Sequence, residues 1–183
     1  MLDCAKGEAP MLGRLQDWLW WRGLKRRVAE RGWTIIHLGG ESREVVWAYS
    51  VGFWEVAGAP EVIVFGHDEV WSNGLISEAL RQIQGGLVLQ DMMPWSIEGF
   101  EGTWRRVDRM HTDYEEWFTC ARRYRRERTG NQDFEAFQLF IPDETGKYPW
   151  DDGFDEGWHH YQRELYLPMS IFGPGELAVR GLV

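Results

Sequence analysis

The segment Pro149-Trp150-Asp151-Asp152-Gly153-Phe154-Asp155 gathers three carboxylates around an aromatic and a turn, and His159 and His160 follow closely. If this segment runs on as a helix, Asp155 and His159 lie one turn apart, as do Glu156 and His160, and each such pair is placed to share a divalent ion. Asp151, Asp152, Asp155 and His159 are therefore the metal-ligand candidates, and the chemistry they would support is that of a divalent-metal-dependent, hydrolase-like enzyme. The structural reading is stronger: Asp155 caps a helix, Asp151 or Asp152 fixes an Asx-type turn, and Trp150 plugs the core. A metal site needs a third and fourth ligand that no other segment identifies, and His37, His67 and His111 qualify only if the fold brings them close.

A second set of polar groups, Tyr49, Ser50, Glu61 and Gln138, lies on or beside strand-like runs, where burial demands hydrogen-bond partners or a ligand. With Trp95 and Trp150 as aromatic walls, the ligand-binding candidates are Tyr49, Glu61, Trp95, Gln138 and Trp150. Arg122, Arg125 and Arg126 share a helix face and form the strongest basic patch, suited to a phosphate or to the acidic segment near Asp151. A solvated helix end is the favoured account of them. There is no serine nucleophile elbow, phosphate-binding loop or His-Glu-x-x-His pattern. Cys120 reads as a buried, inert thiol.

Composition narrows the classes. A net charge of -9 over 183 residues argues against a general nucleic-acid binder, which needs a basic surface to displace counterions. The hydrophobic fraction of 44%, with twelve Trp, supplies a real core and argues against disorder. Two cysteines, Cys4 and Cys120, make no disulfide framework, so a reducing compartment is expected. The first residues lack the apolar core of a signal peptide and no run reaches the length of a membrane span, which places the chain in the cytoplasm.

These candidates must be positioned by local elements. Gly32 to Gly66 contains three short runs, Trp33 to Leu38, Val45 to Gly52 and Glu61 to Gly66, each rich in β-branched and aromatic residues and bounded by Gly or Pro. They read as consecutive strands, with Trp117 beneath the same sheet. Residues 11–31 have helical spacing, but Trp18-Leu19-Trp20-Trp21 points all round a helix, so part of it must face something other than the core. Asp68 caps a helix to about Gln84, Leu87 to Leu89 reads as a short strand, and Asp91 to Gly102 as a long irregular loop bordering the site. Thr103 to Arg109 reads as an edge strand. The pattern Thr112-Asp113-Tyr114-Glu115 is a capping box opening a long helix. Ala136 to Ile141 is a strand, and a last helix starts near Asp155 and passes Leu165.

The order and spacing of Gly32-Trp33, Ala48-Tyr49-Ser50-Val51-Gly52, Pro60 to Gly66, Gln138-Leu139, Pro142-Asp143 and Gly146 to Asp155, then Trp158 and Gln162, resembles the bacterial domain-of-unknown-function family 4262. The resemblance covers roughly residues 25–165 and implies a small α+β domain; it brings no activity with it.

The expected architecture is α+β: an antiparallel sheet, partly barrel-like, flanked by about four helices in one domain over residues 1–183. Within it, residues 1–10 form a mobile leader, 11–31 the N-terminal helix, 32–167 the family-like core and 168–183 a peripheral tail. The preferred function is a non-catalytic binding or accessory protein with an aromatic-rich cleft, for a protein or small-molecule ligand. The alternatives are the metal-dependent hydrolase and an interaction domain that forms a homodimer through the first helix. The cofactor is unknown.

Overall fold

The computed structural model describes residues 11–39, 46–114 and 117–168, with side chains throughout except at 11–14, 159 and 160. The expected leader, the turn from Gly40, Glu115 of the expected capping box and the tail beyond Pro168 lie outside the described residues.

Helix α1 (Met11–Arg31) buries Trp21, Leu24 and Val28, three positions on one face, against the sheet. Its opposite side leaves Leu15, Trp18 and Leu19 exposed, so the four-residue apolar run Trp18 to Trp21 does divide between core and surface. Strands β1 (Thr34–Leu38), β2 (Trp47–Val51) and β3 (Glu61–Phe65) follow as an antiparallel series, with the short α2 (Phe53–Ala57) between β2 and β3. Trp33 immediately precedes β1, Tyr49 lies in β2 and Phe65 in β3. Trp117 packs edge-on against Trp47 and Phe65 at 5.3 and 5.5 Å, as the strand reading expects.

Helix α3 (Glu69–Gln84) starts at Asp68, whose carboxylate accepts from the Trp71 N–H at 2.8 Å. Then come β4 (Met93–Ile97), β5 (Phe100–Arg106), α4 (Arg109–Asp113), α5 (Thr119–Thr129) and β6 (Ala136–Phe140). The sheet order is β1-β2-β3-β6-β5-β4. All neighbours are antiparallel except β3 and β6, which run parallel with Ile63 opposite Gln138. The sheet is therefore mixed rather than antiparallel, and it is open, with β1 and β4 as edges, rather than barrel-like. Strands β2, β3 and β6 are buried at every position, so their composition is the same whichever way they run. The long connection from β3 through α3 to α5 sets the direction of β6. One face packs against α1 and α5, the other against α3.

Five local expectations change. Asp91 to Gly102 is not an irregular loop: it supplies β4 and the two-residue turn Glu98-Gly99, with Gly99 at φ +75°, and Ile97 pairs with Phe100. Pro94 is tolerated because β4 is an edge. The edge strand expected at Thr103 to Arg109 is β5, which lies inside the sheet. Thr112 does not open a long helix: its hydroxyl donates to the Arg109 carbonyl from within α4, and α5 begins only at Thr119. The interruption lets the consecutive Trp117 and Phe118 both enter the core, at 4% and 0% exposure. After Asp155 there is one 3₁₀ turn, Glu156–His160, in place of a helix through Leu165. Leu87 to Leu89 forms no strand.

Candidate functional site

The face of the sheet under α5 carries a cross-strand row: Ile36, Tyr49, Ile63, Gln138 and Arg105 stand opposite one another in register. The two buried polar members hold other elements to the sheet. The Tyr49 hydroxyl accepts from the Cys120 N–H at 3.2 Å, fixing the start of α5. Gln138 donates to the Arg163 carbonyl and accepts from the Leu165 N–H at 3.2 Å. Gln162 works similarly, its amide pairing with both the N–H and the carbonyl of Ile141 at 2.8 Å. Gln138 thereby takes backbone groups of Arg163 and Leu165 that a continuing helix would use.

Glu61 lies at the end of the same face and is almost fully buried. It accepts from the Ser50 hydroxyl, and its Oε1 takes the Gly52 and Phe53 N–H groups at 2.8 and 3.2 Å, which caps the start of α2. Gly52 is at φ +105°, and a Cβ there would come within 2.7 Å of the Gly32 carbonyl, so the turn that aims these donors requires glycine. Burial raises the Glu61 pKa above the ordinary value, although Ser50, Gly52, Phe53 and the charge of Arg125 oppose the shift.

Trp95 does not join this group. It projects from β4 to the α3 face, where its indole N–H donates to Gln82 at 2.9 Å and its ring meets Trp104 edge-on. Trp150 closes the other end of the row, stacked on Tyr148 at 4.9 Å and set edge-on to Phe140 and Tyr166. The Arg105 guanidinium sits over the rings of Trp150 and Tyr166, at 4.7 and 3.8 Å from their centroids, and its Nε donates to Asp91 at 3.0 Å. Burial first, then donation to Glu164, drives the Tyr166 pKa well above that of an ordinary phenol.

The acid-rich turn diverges into backbone contacts. Asp151 accepts from the Tyr148 N–H at 2.9 Å, Asp155 caps the 3₁₀ turn through the Gly157 N–H at 2.9 Å, and the Asp152 carbonyl receives Lys147 Nζ. The His159 side chain lies outside the described residues. Among the described residues no three His, Cys, Asp or Glu side chains are grouped to hold a metal, and His37, His67 and His111 are not brought together in such a group. The organising acid is Asp143, which accepts from the Thr145 N–H and hydroxyl, the Lys147 N–H and the Asp155 N–H at 2.8 to 3.0 Å. Burial pushes its pKa up, but these donors outweigh it and bring it to about 2.

Of the basic patch, Arg122 turns to the Asp113 carbonyl and Arg126 is exposed, while Arg125 lines a cavity of ≈ 640 Å³. The other walls are Asp91, then Arg105 and Arg106 of β5, Val107 and Asp108, Arg109, Thr112 and Asp113 around α4, Asp133 to Glu135 before β6, and Tyr166, so acids and arginines are interspersed around it. Three of the four arginines are paired: Arg105 with Asp91, Arg106 with Glu135 at 2.5 Å, and Arg109 with Asp133 at 3.2 Å and Asp113 at 3.7 Å. Arg125 differs. Its Nε has no hydrogen-bond partner among the described residues, and its guanidinium sits over the Trp54 ring at 4.9 Å. With the Nε buried, the terminal amino groups are the donors that this guanidinium can turn to a carboxylate or phosphate. Sequence reading singled out Arg125 but missed Arg105, Arg106, Arg109 and Tyr166. The only local signal was the density of arginine in Arg105-Arg106-Val107-Asp108-Arg109.

A mixed six-stranded sheet with helices on both faces and a charged cavity beside β5 defines an α+β protein. The chain belongs to the family described as Domain of unknown function (DUF4262), which matches residues 27–155. No curated protein and no solved structure matches it. No helix among the described residues is long and apolar enough to cross a membrane.

Proposed function

We propose that this is a non-catalytic binding protein and that its ligand is a small molecule bearing a carboxylate or phosphate, held in the cavity between β5, α4 and α5. The observation that carries the reading is Arg125, which lines a cavity of ≈ 640 Å³ and, unlike Arg105, Arg106 and Arg109, has no ion-pair partner among the described residues. That volume suits a small organic ligand. The paired arginines keep the walls preformed, and Arg125 retains charge for an incoming anion. Phe134 and Tyr166 supply the aromatic wall of this cleft, in place of the Trp95 and Trp150 of the sequence reading.

The test is calorimetric titration with inorganic phosphate, acetate and citrate, with melting curves alongside. At least one anion is expected to bind at one site and raise the melting temperature, and comparing phosphate with the carboxylates identifies the preferred group. Loss of a charged hydrogen bond is worth about 1.5 to 3 kcal/mol, so Arg125→Met should weaken binding roughly tenfold to a hundredfold. Arg126→Met, at an exposed position of the same helix, should not. Failure of all three anions to bind, or equal binding by Arg125→Met, overturns the reading.

A further inference from the structure

Five acids and four arginines line the cavity between β5, α4 and α5. Arg105, Arg106 and Arg109 take four of those acids in ion pairs, Arg109 being shared between two of them. One cation and one carboxylate of the lining, Arg125 and Asp108, make no ion pair among the described residues. The lining therefore carries one negative charge in excess, in a chain of net charge -9. A ligand that is only an anion enters against that field, whereas one that brings its own cation does not.

The two unpaired charges do not close on each other, and a separate contact holds each in place. Asp108 caps α4: one carboxylate oxygen accepts from the Met110 N–H at 2.9 Å, and the Asp108 N–H donates to the Leu165 carbonyl at 2.7 Å. Its second carboxylate oxygen makes no hydrogen bond among the described residues. His111 is near enough to feel the charge of Asp108, but burial pushes the imidazole pKa below its ordinary value. At neutral pH that ring is uncharged and gives Asp108 no counterion. The Arg125 guanidinium is held over the Trp54 ring at 4.9 Å, with its Nε buried and its terminal amino groups as the remaining donors. Opposite charges fixed apart on different elements are two poles that one ligand can bridge.

We propose that the ligand is a zwitterion, an amino carboxylate or aminoalkyl phosphate whose anionic end meets the terminal amino groups of Arg125 and whose ammonium meets the second oxygen of Asp108. This rests on the anion site at Arg125 and adds a second pole to it. A zwitterion supplies a partner to both unpaired groups and leaves the net charge of the cavity unchanged. A volume of ≈ 640 Å³ leaves room for a carbon chain between the two charged ends.

Calorimetric titration with matched pairs tests this: butyrate against γ-aminobutyrate, hexanoate against ε-aminohexanoate, and ethyl phosphate against aminoethyl phosphate. The members of a pair share the anion and the chain and differ in the ammonium alone. In at least one pair the ammonium should tighten binding about tenfold, the lower end of what a charged hydrogen bond supplies, because Asp108 is partly exposed. Asp108→Asn keeps an oxygen to cap α4, so the variant should fold, and melting curves check this. It should bind the simple anion at least as well as the wild type and lose the advantage of the ammonium. Arg125→Met should weaken both members of the pair. If every simple anion binds as tightly as its zwitterionic counterpart, and Arg125→Met weakens both, the zwitterion proposal falls while the anion reading stands. An ammonium advantage that survives in Asp108→Asn overturns the proposal as well. Binding by neither member of any pair overturns both.

Discussion

Removing the Glu61 carboxylate should open the junction between β2, α2 and β3. In Glu61→Ala the Gly52 and Phe53 N–H groups stay buried and lose their acceptor, and the Ser50 hydroxyl loses its own. An orphaned buried donor costs about 1 to 3 kcal/mol, so the two amides together predict a loss of about 2 to 6 kcal/mol. Release from holding a buried carboxylate offsets part of this, which favours the lower half of the range. Glu61→Gln keeps the shape and one acceptor but turns an amide NH₂ towards the remaining donors, and should cost about 1 to 3 kcal/mol. The pH dependence follows from the raised folded-state pKa. Protonation of Glu61 is easier in the folded state, so its titration contributes stability that is complete below the ordinary glutamate value of 4.5 and lost as pH rises through the raised value. Glu61→Gln cannot titrate there, so its stability deficit should narrow as pH climbs from 4.5 through the raised value and then level off. Urea denaturation of wild type and both variants across that range measures all three quantities. A Glu61→Ala loss below about 0.5 kcal/mol, or a Glu61→Gln deficit that widens with pH, would refute the assignment.

Gln162→Ala strips both partners from Ile141 and should cost about 2 to 4 kcal/mol by chemical denaturation, with faster proteolysis near Tyr161 than in wild type. Asp155→Ala removes the 3₁₀ cap and should cost about 0.5 to 2 kcal/mol, read from its melting curve. Titration of the wild type with zinc, manganese and magnesium should show no stoichiometric binding at the acid-rich turn. Tight binding lost in Asp155→Ala would revive the hydrolase alternative.

The strands from Trp33 to Phe65 were legible because each is a short β-branched and aromatic run closed by glycine or proline, and that pattern survives any tertiary arrangement. Helix α3 was legible for a similar reason, since Asp68 and Gly85-Gly86 punctuate it locally. Local pattern failed where a distant group decided the outcome. The Thr112 to Glu115 pattern satisfies every sequence rule for a cap, yet burying both Trp117 and Phe118 broke the helix before Thr119. The segment from Tyr161 to Leu165 looks helical until Gln138 and Gln162 claim its backbone or that of Ile141. Neither glutamine advertises that role in sequence.

The cavity was illegible for a stronger reason: no segment contains it. Arg125 comes from α5, Arg105 and Arg106 from β5, Arg109 from α4, Phe134 from the approach to β6 and Tyr166 from the C-terminal connection. Those pieces meet because β6 runs parallel to β3 and antiparallel to β5, an arrangement that buried strands of uniform composition do not reveal. Even with the topology known, the arginines of the basic patch cannot be ranked by sequence. Arg122 and Arg125 sit one turn apart on one helix, yet one meets a carbonyl and the other lies over Trp54, its buried Nε without a hydrogen-bond partner among the described residues. What separates them is the position of Trp54 on α2, and Glu61 fixes the start of α2 through Gly52 and Phe53. A loosened α2 should therefore also displace Arg125, so anion binding should fall in Glu61→Ala although Glu61 does not line the cavity.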